Sequence, residues 1–247
     1  MAIRNVALKT KSPDAPSRGG AGGGIELYLK RIFALMFGAV AVTALASYIT
    51  MATPLWTMLF TQTGLSALYY ILLFGGLALA IWAQVRAFSF KPSTGGLMLF
   101  LYAILTGIVM TPLLLVAITS NPYTILSAFV IAAVMFACMA LFGYKTVKDL
   151  SFLGIFLFMG MIGLILVGLA SFIWPAIVGG TFGTIVCFIG VLVFALFTAY
   201  DMQNLKRAYA VMGDGMQKNQ LAVLGALHLY ISFIAMFQYL LSLLNRN

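Results

Sequence analysis

Charged residues are scarce in this sequence of 247 residues, with 14 Lys and Arg and 5 Asp and Glu making up 8% of the chain. Ordinary soluble domains carry roughly 25% charged residues, so this scarcity excludes that class. Apolar stretches of about 20 residues separate the charged clusters, which is the length a helix needs to cross hydrocarbon. The short alternating segments typical of a membrane barrel are not visible in the sequence. The composition therefore predicts an all-α integral membrane protein.

Residue types that carry catalysis are also few. The chain has one His, and its two cysteines, Cys138 and Cys187, both fall inside apolar stretches, where packing is a simpler role than a disulfide or a metal site. No two acidic residues lie close in sequence, and no catalytic triad, zinc motif or phosphate-binding glycine loop can be found. We therefore expect neither enzymatic activity nor a bound cofactor.

The net charge of +9 would suggest a nucleic-acid partner in a soluble protein. In a membrane protein, cytoplasmic loops collect Lys and Arg, so we expect lipid and not nucleic acid as the partner. Residues 1–24 are polar and basic, end in a glycine-rich run and lack the apolar core of a signal peptide. They predict a flexible cytoplasmic tail, followed by a transmembrane domain over residues 25–247.

Seven spans are predicted, and the distribution of basic residues sets their orientation. If seven helices alternate in direction, thirteen of the fourteen Lys and Arg lie on one side and only Arg246 lies on the other. The positive-inside rule then places the N-terminus in the cytoplasm and the C-terminus outside. The predicted spans are Arg31–Ala52, Leu65–Arg86, Gly95–Ile118, Pro122–Phe142, Phe152–Trp174, Val178–Asp201 and Leu221–Leu244.

Asp201 is the acidic residue that follows a membrane-length apolar segment without a break. An ionisable group at this depth is expensive to bury, which makes it a candidate functional residue, although a carboxylate in the headgroup layer would explain it equally simply. Arg86 ends the second predicted span on the same side. It either snorkels to the interface or pairs with Asp201 as a gate that protonation of the Asp would release.

His228 and Ser232 lie four residues apart in the seventh predicted span, and therefore on one helix face. A lone His in a membrane helix is either a hydrogen-bonded packing residue or, beside a water-filled cavity, a group that carries or senses protons. Both readings remain open for His228. The many Phe and Met residues are interpreted as lipid-facing or core-filling side chains.

Four segments in order resemble the Bax inhibitor-1 family, also called the transmembrane Bax inhibitor motif family, in its bacterial branch. The resemblance covers roughly Tyr28 to the end of the chain. The matching segments are Tyr123–Phe129, Gly143–Ser151 with Gly154 following, Phe197–Gln203 and Gly225–Phe233.

The resemblance implies seven helices, with the last surrounded by the other six. It also implies a pH-sensitive calcium leak, in which a carboxylate at the position of Asp201 is hydrogen-bonded to a second carboxylate on the last helix. An Arg at a position like that of Arg86 can latch the first carboxylate. Proton release would then favour calcium in the pore, since hard cations prefer oxygen ligands.

This sequence departs from the family pattern at the second carboxylate, where it has Ser232. Without a second Asp, no coupled titration of two carboxylates is possible, and Asp201 alone is a weak candidate ligand for calcium. Two functions are therefore carried forward. The first is a pH-sensitive calcium or cation leak that uses Asp201, Arg86, His228 and Ser232. The second is an interaction protein that modulates a membrane-anchored ATP-dependent protease, as some bacterial relatives are thought to do.

Overall fold

The computed structural model describes residues 20–61, 64–86, 91–174, 177, 179–211 and 215–246. Within that part of the chain, seven helices are long and apolar enough to cross a membrane, in agreement with the prediction. They are α1 (Gly20–Ala52), α2 (Ala67–Val85), α3 (Pro92–Ser120), α4 (Tyr123–Lys145), α5 (Ser151–Ile173), α6 (Gly180–Val211) and α7 (Met216–Leu244).

Three helices extend five or more residues beyond their predicted limits at the basic side. Helix α1 already begins at Gly20, so the last five residues of the predicted flexible tail belong to the helix, while residues 1–19 lie outside the described part. Helix α6 continues ten residues past Asp201 to Val211, and α7 begins at Met216 rather than Leu221. Asp201 therefore lies inside a continuous helix and not at its end.

The connection between α1 and α2 contains structure that the apolar pattern did not predict. A 3-10 helix, Pro54–Leu59, leads into a hairpin of two short antiparallel strands, β1 (Phe60–Thr61) and β2 (Gly64–Leu65). Ser66 then begins α2, because its hydroxyl accepts a hydrogen bond from the Tyr69 N–H at 3.3 Å and donates to the Met58 carbonyl at 2.6 Å. A Ser at this position satisfies an otherwise unpaired N–H at the helix start.

The bundle has two unlike ends. We call the end where α1, α3, α5 and α7 begin the basic end, because Lys30, Arg86, Lys145 and Lys206 lie there, and the opposite end the far end. At the far end the Arg246 guanidinium donates to the Gly180 carbonyl at 3.3 Å, which ties the end of α7 to the start of α6. The basic end is the predicted cytoplasmic side.

Helix α7 is the centre of the bundle. It buries residues on all sides, including Leu221, Tyr230 and Leu241, and packs against α1, α3, α4 and α6. Helix α5 packs mainly on α6 and borders, together with α7, a cavity at the far end. Apolar character alone does not explain this position, because the more apolar α5 is among the least buried helices and lipid accepts apolar side chains as readily as a protein core does.

Two glycines let the neighbouring helices approach α6 beside Asp201. A Cβ on Gly143 of α4 would collide with the backbone carbonyl of Ala199, and a Cβ on Gly154 of α5 would lie 2.7 Å from the Tyr200 ring. Small residues at helix crossings permit this kind of close packing in membranes. These two glycines therefore allow α4 and α5 to pack closely against Ala199 and Tyr200, the residues that precede Asp201.

Polar side chains of α6 hold the loop between α4 and α5 at the basic end. The Gln203 amide donates to the Lys148 carbonyl at 2.7 Å and accepts from the Leu150 N–H at 2.9 Å. Lys206 Nζ donates to the Tyr144 carbonyl at 2.9 Å, and Arg207 Nη1 lies 2.8 Å from Asp149 Oδ1. The turn of α6 that follows Asp201 is therefore bonded to this loop.

Replacement of Gly143 by Ala should destabilise the bundle, because the new methyl group has no space against the backbone of Ala199. Overpacking of this kind costs about 1–3 kcal/mol. Gly163→Ala on α5 is the matched control, since a Cβ there meets nothing within 4 Å. Thermal unfolding in detergent should show a lower midpoint for Gly143→Ala only. Equal midpoints for the two variants would contradict the close approach of α4 and α6.

The Asp149 carboxylate provides a pH-dependent prediction outside the spans. The Ser151 hydroxyl and N–H, followed by Arg207, lower the pKa of Asp149 from 3.8 to about 2. A lowered pKa stabilises the folded state above the ordinary value, and that contribution is lost as the pH falls through the lower one. Asp149→Asn should therefore lower the thermal midpoint by the same amount at pH 8 and pH 5, with the difference shrinking only between 3.8 and about 2. A difference that disappears already near pH 6 would refute this origin.

Candidate functional site

Asp201 lies on the face of α6 that packs on the central helix α7. Only 13% of its side chain is exposed, and the flanking residues Ala199, Met202 and Gln203 are buried. A carboxylate in such surroundings requires polar neighbours, because an isolated charge in an apolar interior is strongly unfavourable. The structure supplies these neighbours from α7.

Ser232 and His228 of α7 both face Asp201. The Ser232 side chain is buried, and its hydroxyl is a hydrogen-bond partner of the Asp201 carboxylate. His228 Nδ1 lies 4.0 Å from Asp201 Oδ1. The four-residue spacing of His228 and Ser232 places them one turn apart on the same face. The structure therefore brings together three of the four residues named from the sequence.

Gln84 of α2 is a further member of this cluster that the sequence analysis missed. Its side-chain oxygen lies 3.1 Å from His228 Nε2. With the Nε2 proton donated to Gln84, a second proton on Nδ1 would face the Asp201 carboxylate. The available signal was an amide in the apolar second span, two residues before Arg86. We call Gln84, Asp201, His228 and Ser232 the polar cluster.

Arg86 is not part of the polar cluster in this structure. It follows α2 directly, its side chain is exposed, and no hydrogen bond or ion pair joins it to Asp201 among the described residues. The proximity of Gln84 to His228 does place the end of α2 beside α7. A latch between Arg86 and Asp201 would need a rearrangement of the chain after Val85, and it stays a prediction.

A second buried polar contact, also missed from the sequence, connects α1, α3 and α7. The hydroxyls of Thr43 and Tyr230 lie 2.6 Å apart, and Thr43 Oγ1 also lies 3.1 Å from the Ala103 carbonyl. Tyr230 is completely buried, with its ring 5.8 Å from that of Tyr102. Because buried hydroxyls require partners, this contact fixes the rotation of α7 and hence the faces that carry His228 and Ser232.

A cavity of about 530 Å3 lies toward the far end, between α2, α3, α5 and α7. Ile231 of α7 and Leu77 of α2 belong to its wall. Ile231 is three residues from His228, and Leu77 is seven residues from Gln84, about 10 Å along the helix. No residue of the polar cluster belongs to the lining of this cavity. The polar residues of its lining are Tyr69, Tyr102, Thr106, Ser171 and Gln238.

The cluster is poorer in ligands than a resident calcium site. Calcium takes six to eight oxygen ligands in proteins, whereas the polar cluster offers one carboxylate, one hydroxyl and one amide oxygen. In the described part of the chain, no group of three or more His, Cys, Asp or Glu side chains is placed to hold a metal ion. The donor set is therefore too small to hold a calcium ion tightly.

Comparison with known proteins identifies the family of this chain. The family model described as "Inhibitor of apoptosis-promoting Bax1" matches residues 25–247. The inner membrane protein YbhL of Escherichia coli K12 is 32% identical over 222 residues, covering 88% of this chain and 91% of YbhL. A protein of Caulobacter vibrioides is 31% identical over 91% of this chain and 90% of its own length. A protein of Borreliella burgdorferi is 29% identical over 89% of this chain and 92% of its own length. The chain therefore belongs to the Bax inhibitor-1 family.

Proposed function

We propose that the protein is a pH-sensitive cation leak with calcium as the permeant ion, since the donors of the polar cluster are mainly oxygens. The observation that carries this proposal is the polar cluster itself. The Asp201 carboxylate is hydrogen-bonded to Ser232 and lies 4.0 Å from His228 on the central helix, and a cavity lies farther along the same helix toward the far end. An ionisable residue in the membrane that faces the bundle interior is typical of an ion pathway.

The ionised Asp201 carboxylate would attract a cation, and its protonated form would not. The imidazole of His228 lies close enough for the charge on either group to affect the other. At low pH a protonated imidazole beside Asp201 would repel cations, and at high pH a bare carboxylate would draw them in. The proposed leak therefore increases as the pH rises.

Helix α2 is the element best suited to open the path. Only Gly76 and Ala80 are buried in this helix, and Leu77, Ile81, Trp82 and Val85 are exposed large apolar side chains. Elements with few buried contacts are the ones that move at low energetic cost. A shift of α2 away from α7 would separate Gln84 from His228 and connect the cavity to the polar cluster.

The proposed location is the bacterial inner membrane. YbhL is an inner membrane protein by name, and we extend that location to this chain as a multi-pass protein of the bacterial inner membrane. The concentration of Lys and Arg at the basic end supports a cytoplasmic N-terminus and an outer C-terminus. Calcium or protons would then move between the far-end cavity and the cytoplasm.

A second candidate function, modulation of a membrane-anchored protease, is favoured by the loop between α4 and α5. Gln203 and Arg207 hold this loop in place, and Val147 at its tip is 96% exposed. This fixed loop, with Val147 at its tip, is the surface that such a function would use. This function predicts a protein complex that survives Asp201→Asn but is weakened by Val147→Asp.

Asp201→Asn should strongly reduce the pH dependence of calcium influx into proteoliposomes and leave only the part that His228 contributes. Wild-type influx should rise with pH as the carboxylate loses its proton, and the amide cannot follow because it has no ionisable proton. Asn has nearly the same shape as Asp, so the bundle should stay folded. The measurement is the rate of fluorescence increase of a trapped calcium dye at pH 6, 7 and 8.

Two further variants make this experiment specific. Asp149→Asn removes a carboxylate at the same end of the bundle but outside the polar cluster, and it should keep the wild-type pH profile. Ser232→Asp supplies the second carboxylate of the family pattern, and it should raise calcium influx at high pH, since calcium prefers several carboxylate oxygens. Identical influx in wild type, Asp201→Asn and Ser232→Asp at every pH would exclude the leak.

A further inference from the structure

An apolar groove between α1 and α4 is not used by the polar cluster. It begins at the basic end, has a volume of about 660 Å3 and reaches Phe129, Phe136 and Phe233 at its inner end. Ala133 and Ala137 of α4 form part of its wall, where small side chains leave the space open. Its volume lies within the range of about 300–1,000 Å3 that small-ligand sites occupy. The groove is large enough to hold a long alkyl chain.

The mouth of the groove carries one charge of each sign. Glu26 and Lys30 of α1 both line it, both are exposed, and neither forms a hydrogen bond or an ion pair with another described residue. They are one helical turn apart, about 6 Å along the axis. Because α1 runs from the basic end into the bundle, Lys30 is the nearer of the two to the apolar groove and Glu26 lies farther out.

We propose that the groove binds one phosphatidylethanolamine molecule from the leaflet at the basic end. An acyl chain would occupy the apolar part, the phosphate would meet the Lys30 ammonium, and the ethanolamine ammonium would meet the Glu26 carboxylate. The order of charges along α1 matches the order of groups in this lipid, from chain to phosphate to amine. A lipid with an anionic headgroup alone would leave Glu26 facing negative charge.

Lys30 is the lysine that lines the groove itself. Lys206 is engaged elsewhere, since its Nζ donates to the Tyr144 carbonyl at 2.9 Å and lies 5.0 Å from the centre of the Tyr144 ring. Long basic side chains at helix ends commonly extend toward headgroups. The open groove directly below Lys30 distinguishes this position from an ordinary interfacial lysine.

The proposed lipid would lie close to the polar cluster. Met202 and Phe233, the residues that follow Asp201 and Ser232, both line the groove. The rings of Phe129 and Phe233 pack edge to face at 5.7 Å, as do those of Phe136 and Phe233 at 5.6 Å. An acyl chain against these rings would therefore contact α6 and α7 next to Asp201 and Ser232.

Native mass spectrometry of the full chain, released from detergent after incubation with defined lipids, tests this proposal. Wild type should retain one phosphatidylethanolamine in preference to phosphatidylglycerol by roughly tenfold, the ratio expected for one charge-assisted hydrogen bond. Glu26 is exposed, so Glu26→Gln should leave the fold intact. This variant should abolish the preference for phosphatidylethanolamine. Ala137→Phe should fill the groove and lower retention of both lipids.

Val134→Phe is the matched control, because Val134 lies on the same helix with 58% of its surface exposed and outside the groove. It should retain phosphatidylethanolamine like wild type. Equal retention of both lipids by wild type, or equal retention by Ala137→Phe and Val134→Phe, would overturn the proposal. A lipid-free dimer that Ala137→Phe disrupts would assign the groove to a second copy and overturn it as well.

Discussion

A carboxylate inside an apolar helix bundle is tolerated only when polar groups surround it, and the arrangement around Asp201 follows from this constraint. Helix α6 places Asp201 against the central helix α7, and α7 provides Ser232 and His228 as its polar neighbours. Gln84 then supports the imidazole from α2. If α7 rotated about its axis, Asp201 would face apolar side chains. The polar cluster therefore requires one orientation of the central helix.

The packing that maintains this orientation comes from residues without an obvious functional role. Thr43 and Tyr230 connect α7 to α1 and α3 through buried hydroxyls, and Gly143 allows α4 to contact the backbone of α6. Gln203 and Arg207 then bond α6 to the loop after α4. A displacement of α6 near Asp201 would therefore also move the loop between α4 and α5 at the basic end. Helix α2 is weakly buried and takes part in none of these contacts, so it can move without breaking them.

The sequence predicted the seven helices because apolar length alone determines them, and it named three of the four members of the polar cluster. The predicted starts of α1 and α7 came too late and the predicted end of α6 came too early. Hydropathy marks the membrane and not the end of a helix that continues into water. Gln84 and the pair of Thr43 and Tyr230 were missed because single polar residues in apolar spans show no partner in sequence. The groove at Glu26 and Lys30 depends on how α1 and α4 diverge, which no local pattern encodes.

We propose that protonation of Asp201 controls the leak. Infrared difference spectroscopy of the protein in lipid, titrated from pH 8 to pH 5, detects the carbonyl stretch of a newly protonated carboxyl group. We predict a band that is absent in Asp201→Asn and whose midpoint coincides with the pH at which calcium influx is half-maximal. A carboxylate that keeps its ionisation state while the influx changes would contradict the account.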